Sequence, residues 1–272
     1  MFYWIYEIPT PQLALLITGT FVLFFWVGCF LVRPILRTFV RARSGTNDIV
    51  GYTLSAFGVF YGLLLGLIAV AAYQNLNKAE ENVSREAVAV TALFQELSAY
   101  REPLRQLLRA ELRDYCSYVI GEEWPQLRKG VVPDDGRRKV LAFRTSLLSF
   151  EPQTPNQMIF HAETLREFDE YYEARRMRVH DVKSGIPAVM WYVVIAGAVL
   201  NIAIIWMFDM RILSQLLLGG MLAFFMGTMI FLIAAMDNPY RGEVSVSTSA
   251  FEEAYEVMLA VGDLSSPSQG GG

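Results

Sequence analysis

Four apolar stretches, each long enough to cross a bilayer, constrain this chain before any other feature does. A spanning helix needs about 20 predominantly apolar residues. Residues 13–32 and 49–73 carry no charge, 186–208 hold Asn201 as their notable polar group, and 212–236 hold Gln215 near the start and no ionisable group after it. The chain is 54% hydrophobic and 18% charged, and the deficit of charge lies in these blocks. Soluble domains are nearer about 25% charged. Lipid offers the backbone no hydrogen-bond partner, and a helix pairs its own peptide groups. The reading is an all-α integral membrane protein with four transmembrane helices.

The first stretch reads as a retained helix. Residues 1–12 contain no Lys or Arg, only Glu7, and the apolar run is followed by "RPILRTFVRAR"; a cleaved signal has the opposite order of charge. Phe2, Tyr3, Trp4 and Tyr6 form an aromatic anchor of the kind found at membrane interfaces.

The organisation follows from the spans. Residues 1–73 are an N-terminal helix pair, 74–185 a helical extramembrane domain, and 186–236 a C-terminal helix pair. Residues 237–264 carry a short amphipathic helix, and 265–272 are a flexible tail. Leu76, Val83, Val90, Leu97 and Leu104 recur every seven residues, so the second span is expected to continue as a helix to about Tyr100. Pro103 suits the first turn of a new helix. Its apolar face is Leu104, Leu107, Leu108, Leu112 and Val119, with its end at Gly121 and Trp124-Pro125. A short helix with Val140, Phe143 and Leu147 and a longer one with Ile159, Leu165, Phe168 and Tyr172 follow. Pro239 ends the fourth span. Ser249 and Glu252 then have the spacing of a capping box, ahead of Phe251, Tyr255 and Met258. No stretch alternates with period two, so no sheet is expected.

Charge places the first linker, with Arg33, Arg37, Arg41 and Arg43 against Asp48, on the cytoplasmic side. Lys78, Arg85, Arg175, Arg176, Arg178 and Lys183 flank the other membrane face and argue the reverse. A net charge of −4 excludes nucleic acid as the expected partner. Cys29 and Cys116 define neither a disulfide framework nor a zinc site.

Catalytic chemistry is missing. His161 and His180 read as surface residues, and no phosphate loop, HExxH or nucleophile elbow is present. The spans carry no ionisable residue of the kind that marks a proton relay or coupled transporter. Asp209 and Arg211 lie in the turn between spans three and four, and Asn201 reads as a structural hydrogen-bonding residue. Asp134-Asp135 and Glu122-Glu123 read as solvated loop charge. The chain is therefore read as no enzyme, with no cofactor and no metal.

Gly58, Gly62 and Gly66 recur every four residues in the second span, and Gly219, Ala223 and Gly227 do so in the fourth. A helix-interior glycine costs about 1 kcal/mol against alanine. In lipid, however, small residues let helices approach closely, so both lines are expected to be packing seams inside a four-helix bundle. Val59, Leu63 and Leu67 run beside the first line, roughly 100° around the helix.

At this point the sequence resembles a family. "NDIVGYTLSAFGVFYGLLLGLIAVAAYQ", "EEWP" and "MDNPYRGEVSVS" are similar to the bestrophin-like membrane proteins, across nearly the whole chain. The more distant resemblance is to the bestrophin channels, which are pentamers of four-span subunits with helical cytosolic domains. It implies a pore lined by the second span, with an apolar neck at Val59, Leu63 and Leu67. The Arg-Asn pair that follows the neck in those channels is replaced here by Ile68 and Ala69, and their calcium clasp has no counterpart by ligand spacing. Trp124 and Arg241, in two of the motifs, are expected to be anchors: Arg241 pairing with a carboxylate or with lipid phosphate at the interface, Trp124 anchoring the helical domain or packing in it.

The leading expectation is a homo-oligomeric channel, a pentamer, in a bacterial inner membrane. It would contact lipid and pass small ions, anions being the class that the resemblance implies. The competing expectation is a non-conducting membrane scaffold or sensor whose helical domain binds a partner; the glycines and heptads serve it equally.

Overall fold

The computed structural model describes residues 3–39 and 45–264. Met1 and Phe2 of the aromatic anchor, Arg41 and Arg43 of the first linker, and the tail 265–272 lie outside the described residues. A 3-10 turn at Tyr3–Glu7 leads into α1 (Thr10–Leu31), α2 (Arg33–Phe39) and the long α3 (Thr46–Glu96). Then come α4 (Leu104–Tyr118), a π-helical turn at Val119–Glu123, α5 (Trp124–Leu127), α6 (Asp135–Leu148) and α7 (Pro155–Asp181). The chain continues with α8 (Ala188–Trp206), α9 (Ile212–Met236) and α10 (Ser249–Leu264). No strand occurs among the described residues. Helices α1, α3, α8 and α9 are the four that are long and apolar enough to cross a membrane.

The fold divides into two compact units. The first comprises Met1–Asn75, Gly185–Asn238 and Gly242–Val244; the second comprises Leu76–Ser184, Pro239–Arg241 and Ser245–Gly272. Helix α3 contributes to both.

In the first unit aromatic side chains fill the space over glycines. A Cβ on Gly219 of α9 would lie 2.0 Å from Phe25 of α1, and one on Gly227 would lie 2.8 Å from the Cα of Thr18. Ala223, between them, is buried. The Trp206 indole covers Gly28, where a Cβ would meet it at 1.8 Å, and its Nε1 donates to the Phe25 carbonyl at 3.1 Å. Tyr61 of α3 lies on Gly197 of α8 and donates to the Val194 carbonyl at 2.9 Å. Helix starts are held by side chains: the Glu243 carboxylate accepts from the Thr10 amide at 3.0 Å. That satisfies an orphan donor at the positive end of α1. The Asn47 amide both donates to and accepts from the backbone of Asp209, at 2.9 and 2.8 Å, tying α3 to the turn before α9.

The second unit is a soluble-type core. Val83, Val90 and Leu97 are buried against Leu108, Leu112, Phe143, Leu147, Phe168 and Phe251. Three local expectations change. The turn Val119–Glu123 carries the helical path past Gly121 into α5, and the chain turns at Gly130 with φ +73. Ile159 and Tyr172 are exposed, because α7 buries Thr164, Phe168, Tyr171, Arg175 and Arg178 instead. At α10 the Glu252 carboxylate takes the Thr248 hydroxyl at 2.5 Å, so the expected Ser249 capping box is not formed.

Gly227→Leu is expected to destabilise the first unit by about 1–3 kcal/mol, since the Thr18 backbone cannot move aside. Gly19→Leu, where nothing lies within 4 Å of a Cβ, is the control. The check is the thermal unfolding midpoint in detergent, lowered for Gly227→Leu and unchanged for Gly19→Leu.

Candidate functional site

Helix α3 turns Tyr61, Leu65 and Ile68 into the first unit's core. The opposite side has no partner among the described residues. Val59, Leu63 and Leu67 are 62%, 61% and 71% exposed, and Phe60 and Val70 lie exposed beside them. A Cβ at Gly58, Gly62 or Gly66 would meet nothing within 4 Å. The expectation of a packing seam inside the bundle therefore fails for this glycine line. The reason is rotational: the bulky residues Tyr61, Leu65 and Ile68 make the intrachain contact, which leaves the small residues outward. Gly219, Ala223 and Gly227 lie against α1. Val59, Leu63 and Leu67 span about 12 Å along the helix at 1.5 Å per residue. Ile68 faces inward at 5% exposure.

The second unit encloses a charged cluster. Glu86 of α3, Glu123 of the π-helical turn and Arg178 of α7 are fully buried, and Arg175 nearly so. Arg178 donates from Nε to Glu86 at 2.5 Å and from Nη2 to Glu123 at 3.4 Å. Arg175 grips both oxygens of Glu123 at 3.1 and 3.2 Å and donates to the Tyr115 hydroxyl at 2.6 Å. Tyr115 in turn donates to Glu86. Two guanidinium groups thus balance two carboxylates, the arrangement a buried ion needs. Burial pushes the Glu123 carboxyl up, but Arg178 and Arg175 outweigh it and hold the pKa below its ordinary value.

Several expectations are corrected here. Glu122 is exposed, but Glu123 is internal rather than solvated loop charge. Arg175 and Arg178 neutralise internal carboxylates, so they carry no membrane-flanking charge. Trp124 packs inside the second unit, buried against Tyr240 and Phe251, with ring centroids at 5.6 and 6.3 Å. Arg241 donates to the Lys129 carbonyl at 2.8 Å, over Gly130, where a Cβ would collide with its guanidinium. His161 is half-buried, its Nδ1 2.7 Å from the Tyr100 hydroxyl, and desolvation lowers its pKa. His180 is exposed. Asn201 donates to the carbonyl of Gly197 at 2.9 Å within its own helix.

The "MDNP" motif gains a physical role. Asp237 accepts from the Ile186 amide at 2.6 Å, from the Tyr6 hydroxyl at 3.3 Å and from Trp191 Nε1 at 3.4 Å. Asn238 donates to the Tyr6 hydroxyl at 2.6 Å. One carboxylate thereby joins the N-terminal turn, the start of α8 and the end of α9. The charged cluster and this junction were missed from sequence. Their signals were Glu86 between Val83 and Val90 on an apolar face, and Arg175 and Arg178 in register with Phe168 and Tyr171.

Four membrane-crossing helices and a helical second unit define an all-α integral membrane protein. The Bestrophin-like domain family matches residues 6–251, and the chain belongs to that family. No match is found among curated proteins. The fold is similar to that of a bacterial bestrophin homologue from Klebsiella pneumoniae in several solved structures. For one mutant the TM-score is 0.66 at 11% identity, covering 90% of this chain and 97% of that one. A second mutant gives 0.63 at 12% identity, covering 89% and 98%. The structure solved by zinc phasing gives 0.61 at 12% identity, covering 88% and 97%.

Glu123→Gln is expected to destabilise the second unit by about 3–5 kcal/mol at neutral pH, since Arg175 and Arg178 lose their counter-charge. A depressed folded-state pKa gives stability that is complete above the unfolded value of about 4.3 and fades as pH falls below it. Unfolding midpoints measured from neutral pH down to about 3 should therefore fall more steeply in wild type than in Glu123→Gln.

Proposed function

We propose that the chain is one subunit of a homo-oligomeric ion channel in the bacterial inner membrane, with α3 of each subunit arranged around a central axis. The supporting observation is the unpartnered side of α3. There a line of exposed apolar residues, Val59, Leu63 and Leu67, runs beside glycines that leave room for a neighbour. Val59, Leu63 and Leu67 form the neck. A ring of such residues excludes water when narrow, and the resulting dry segment is the barrier to ions. Gly58, Gly62 and Gly66 admit the adjacent copy of α3.

The permeant species is a small ion, and family membership favours an anion and a pentamer. The outward line Val59, Leu63 and Leu67 carries no fixed positive charge, and Ile68 beside it faces the subunit's core, so selectivity here is weaker than charge would impose. Contact with lipid is through the outer faces of α1, α8 and α9, where Leu23, Phe30, Val189, Leu217 and Phe225 are exposed.

Native mass in nanodiscs comes first. A ring of four or more subunits supports the axis; a stable monomer or dimer across mild detergents moves the reading to a membrane-anchored scaffold. In a conducting oligomer, Leu63→Ala or Leu67→Ala is expected to raise basal conductance several-fold by wetting the neck. Unchanged conductance in both variants would remove these residues from the neck.

A further inference from the structure

Helix α4 carries Arg105, Arg109 and Arg113 at intervals of four, so their side chains lie along one line of about 12 Å. Among the described residues only Arg105 forms an ion pair, with Glu102 at 2.7 Å, and the same carboxylate is the one that acts on Arg109 at longer range. Arg109 is 8% exposed, its guanidinium 5.1 Å above the Phe94 ring, and its Nε has no hydrogen-bond partner. Of the carboxylates of the same helix, Asp114 pairs with Lys139, and Glu111 accepts from Ser146 at 2.9 Å through one oxygen while its other oxygen is buried without a hydrogen-bond partner among the described residues. Like charges four residues apart repel, and one carboxylate shared along the row leaves positive charge in excess at a partly desolvated site. A row of this kind calls for carboxylates from outside the subunit.

The chain itself presents such a row. On α7, Glu163, Glu167 and Glu170 surround the single cation Arg166, with Glu163 at 2.6 Å and Glu167 at 2.5 Å. Asp169 and Glu173 extend the same side, exposed and without a partner among the described residues. No ion pair joins the α4 and α7 rows within one chain among the described residues.

We propose that the arginine row of α4 docks on the acidic side of α7 in the next copy of this chain. This inference rests on the homo-oligomer argued above. Two different surfaces meeting head to tail repeat around an axis and close into a ring, whereas a two-fold dimer would need one self-complementary patch. A single small anion would answer one or two guanidinium groups and leave the rest of the row unmatched. A helix bearing several carboxylates matches its length.

The test is a charge-reversal rescue on the full-length protein in nanodiscs, read as subunit dissociation on dilution by native mass. Arg105→Glu with Arg113→Glu, and separately Asp169→Lys with Glu173→Lys, should each promote dissociation by about tenfold or more. The four substitutions combined should restore most of the loss. Arg109→Met keeps the packing on Phe94; it should weaken the oligomer without lowering the unfolding midpoint of the subunit. A combined variant that stays dissociated overturns the pairing. So does a wild type that binds inorganic phosphate at these arginines and is indifferent to the α7 reversal. A wild-type oligomer unaffected by either reversal removes this contact alone, while a wild-type monomer removes the oligomer and the contact together.

Discussion

In a bilayer no hydrophobic force draws one apolar helix to another, because lipid tails solvate leucine as well as a neighbouring helix does. Close contact has to supply the attraction, and contact depends on shape. The first unit meets this constraint repeatedly with one device, a large aromatic ring lowered onto a glycine. Phe25 over Gly219, Trp206 over Gly28 and Tyr61 over Gly197 each bring a broad, rigid surface to within van der Waals range of a bare backbone. Trp206 and Tyr61 add a hydrogen bond to a carbonyl, at 3.1 and 2.9 Å, where water is absent. Such bonds keep the polar ends of the rings satisfied in lipid.

The second unit solves a different problem. Its core is apolar in the manner of a soluble domain, yet two glutamates and two arginines lie inside it. Replacing such groups by apolar ones is often neutral for stability, so a buried ion pair is better read as a device that specifies one arrangement. Here α3, α4, the π-helical turn and α7 each contribute a member, and the hydrogen bonds among them tie these four elements together, with Arg178 Nη1 left without a partner among the described residues. The π-helical turn has a local purpose in this setting, since it brings Glu123 to Arg175 and Arg178.

The overall class was legible from residues. Long uncharged runs marked the spans, and heptads at Val83, Val90 and Leu97 marked the continuation of α3 and its buried side. The fourth-span line Gly219, Ala223, Gly227 does lie against another helix. Gly58, Gly62 and Gly66, identical in pattern, lie against nothing among the described residues. Spacing says that a helix has a smooth side; it does not say what arrives there. The same limit misplaced Glu123, which charge assigned to solvent.

Sequence alone determined that the chain crosses a membrane on four helices and carries a helical insertion. Solvent preference and helix length are properties of contiguous residues and need no partner to be evaluated. Tertiary structure decided how each helix is rotated about its axis. That rotation made one glycine line internal and left the other open, buried Arg175 and Arg178 rather than placing them at a membrane surface, and packed Arg109 on Phe94 with its Nε without a hydrogen-bond partner. Rotation is set by which side chains from distant parts of the chain fit together, and such fits have no signature at any single position.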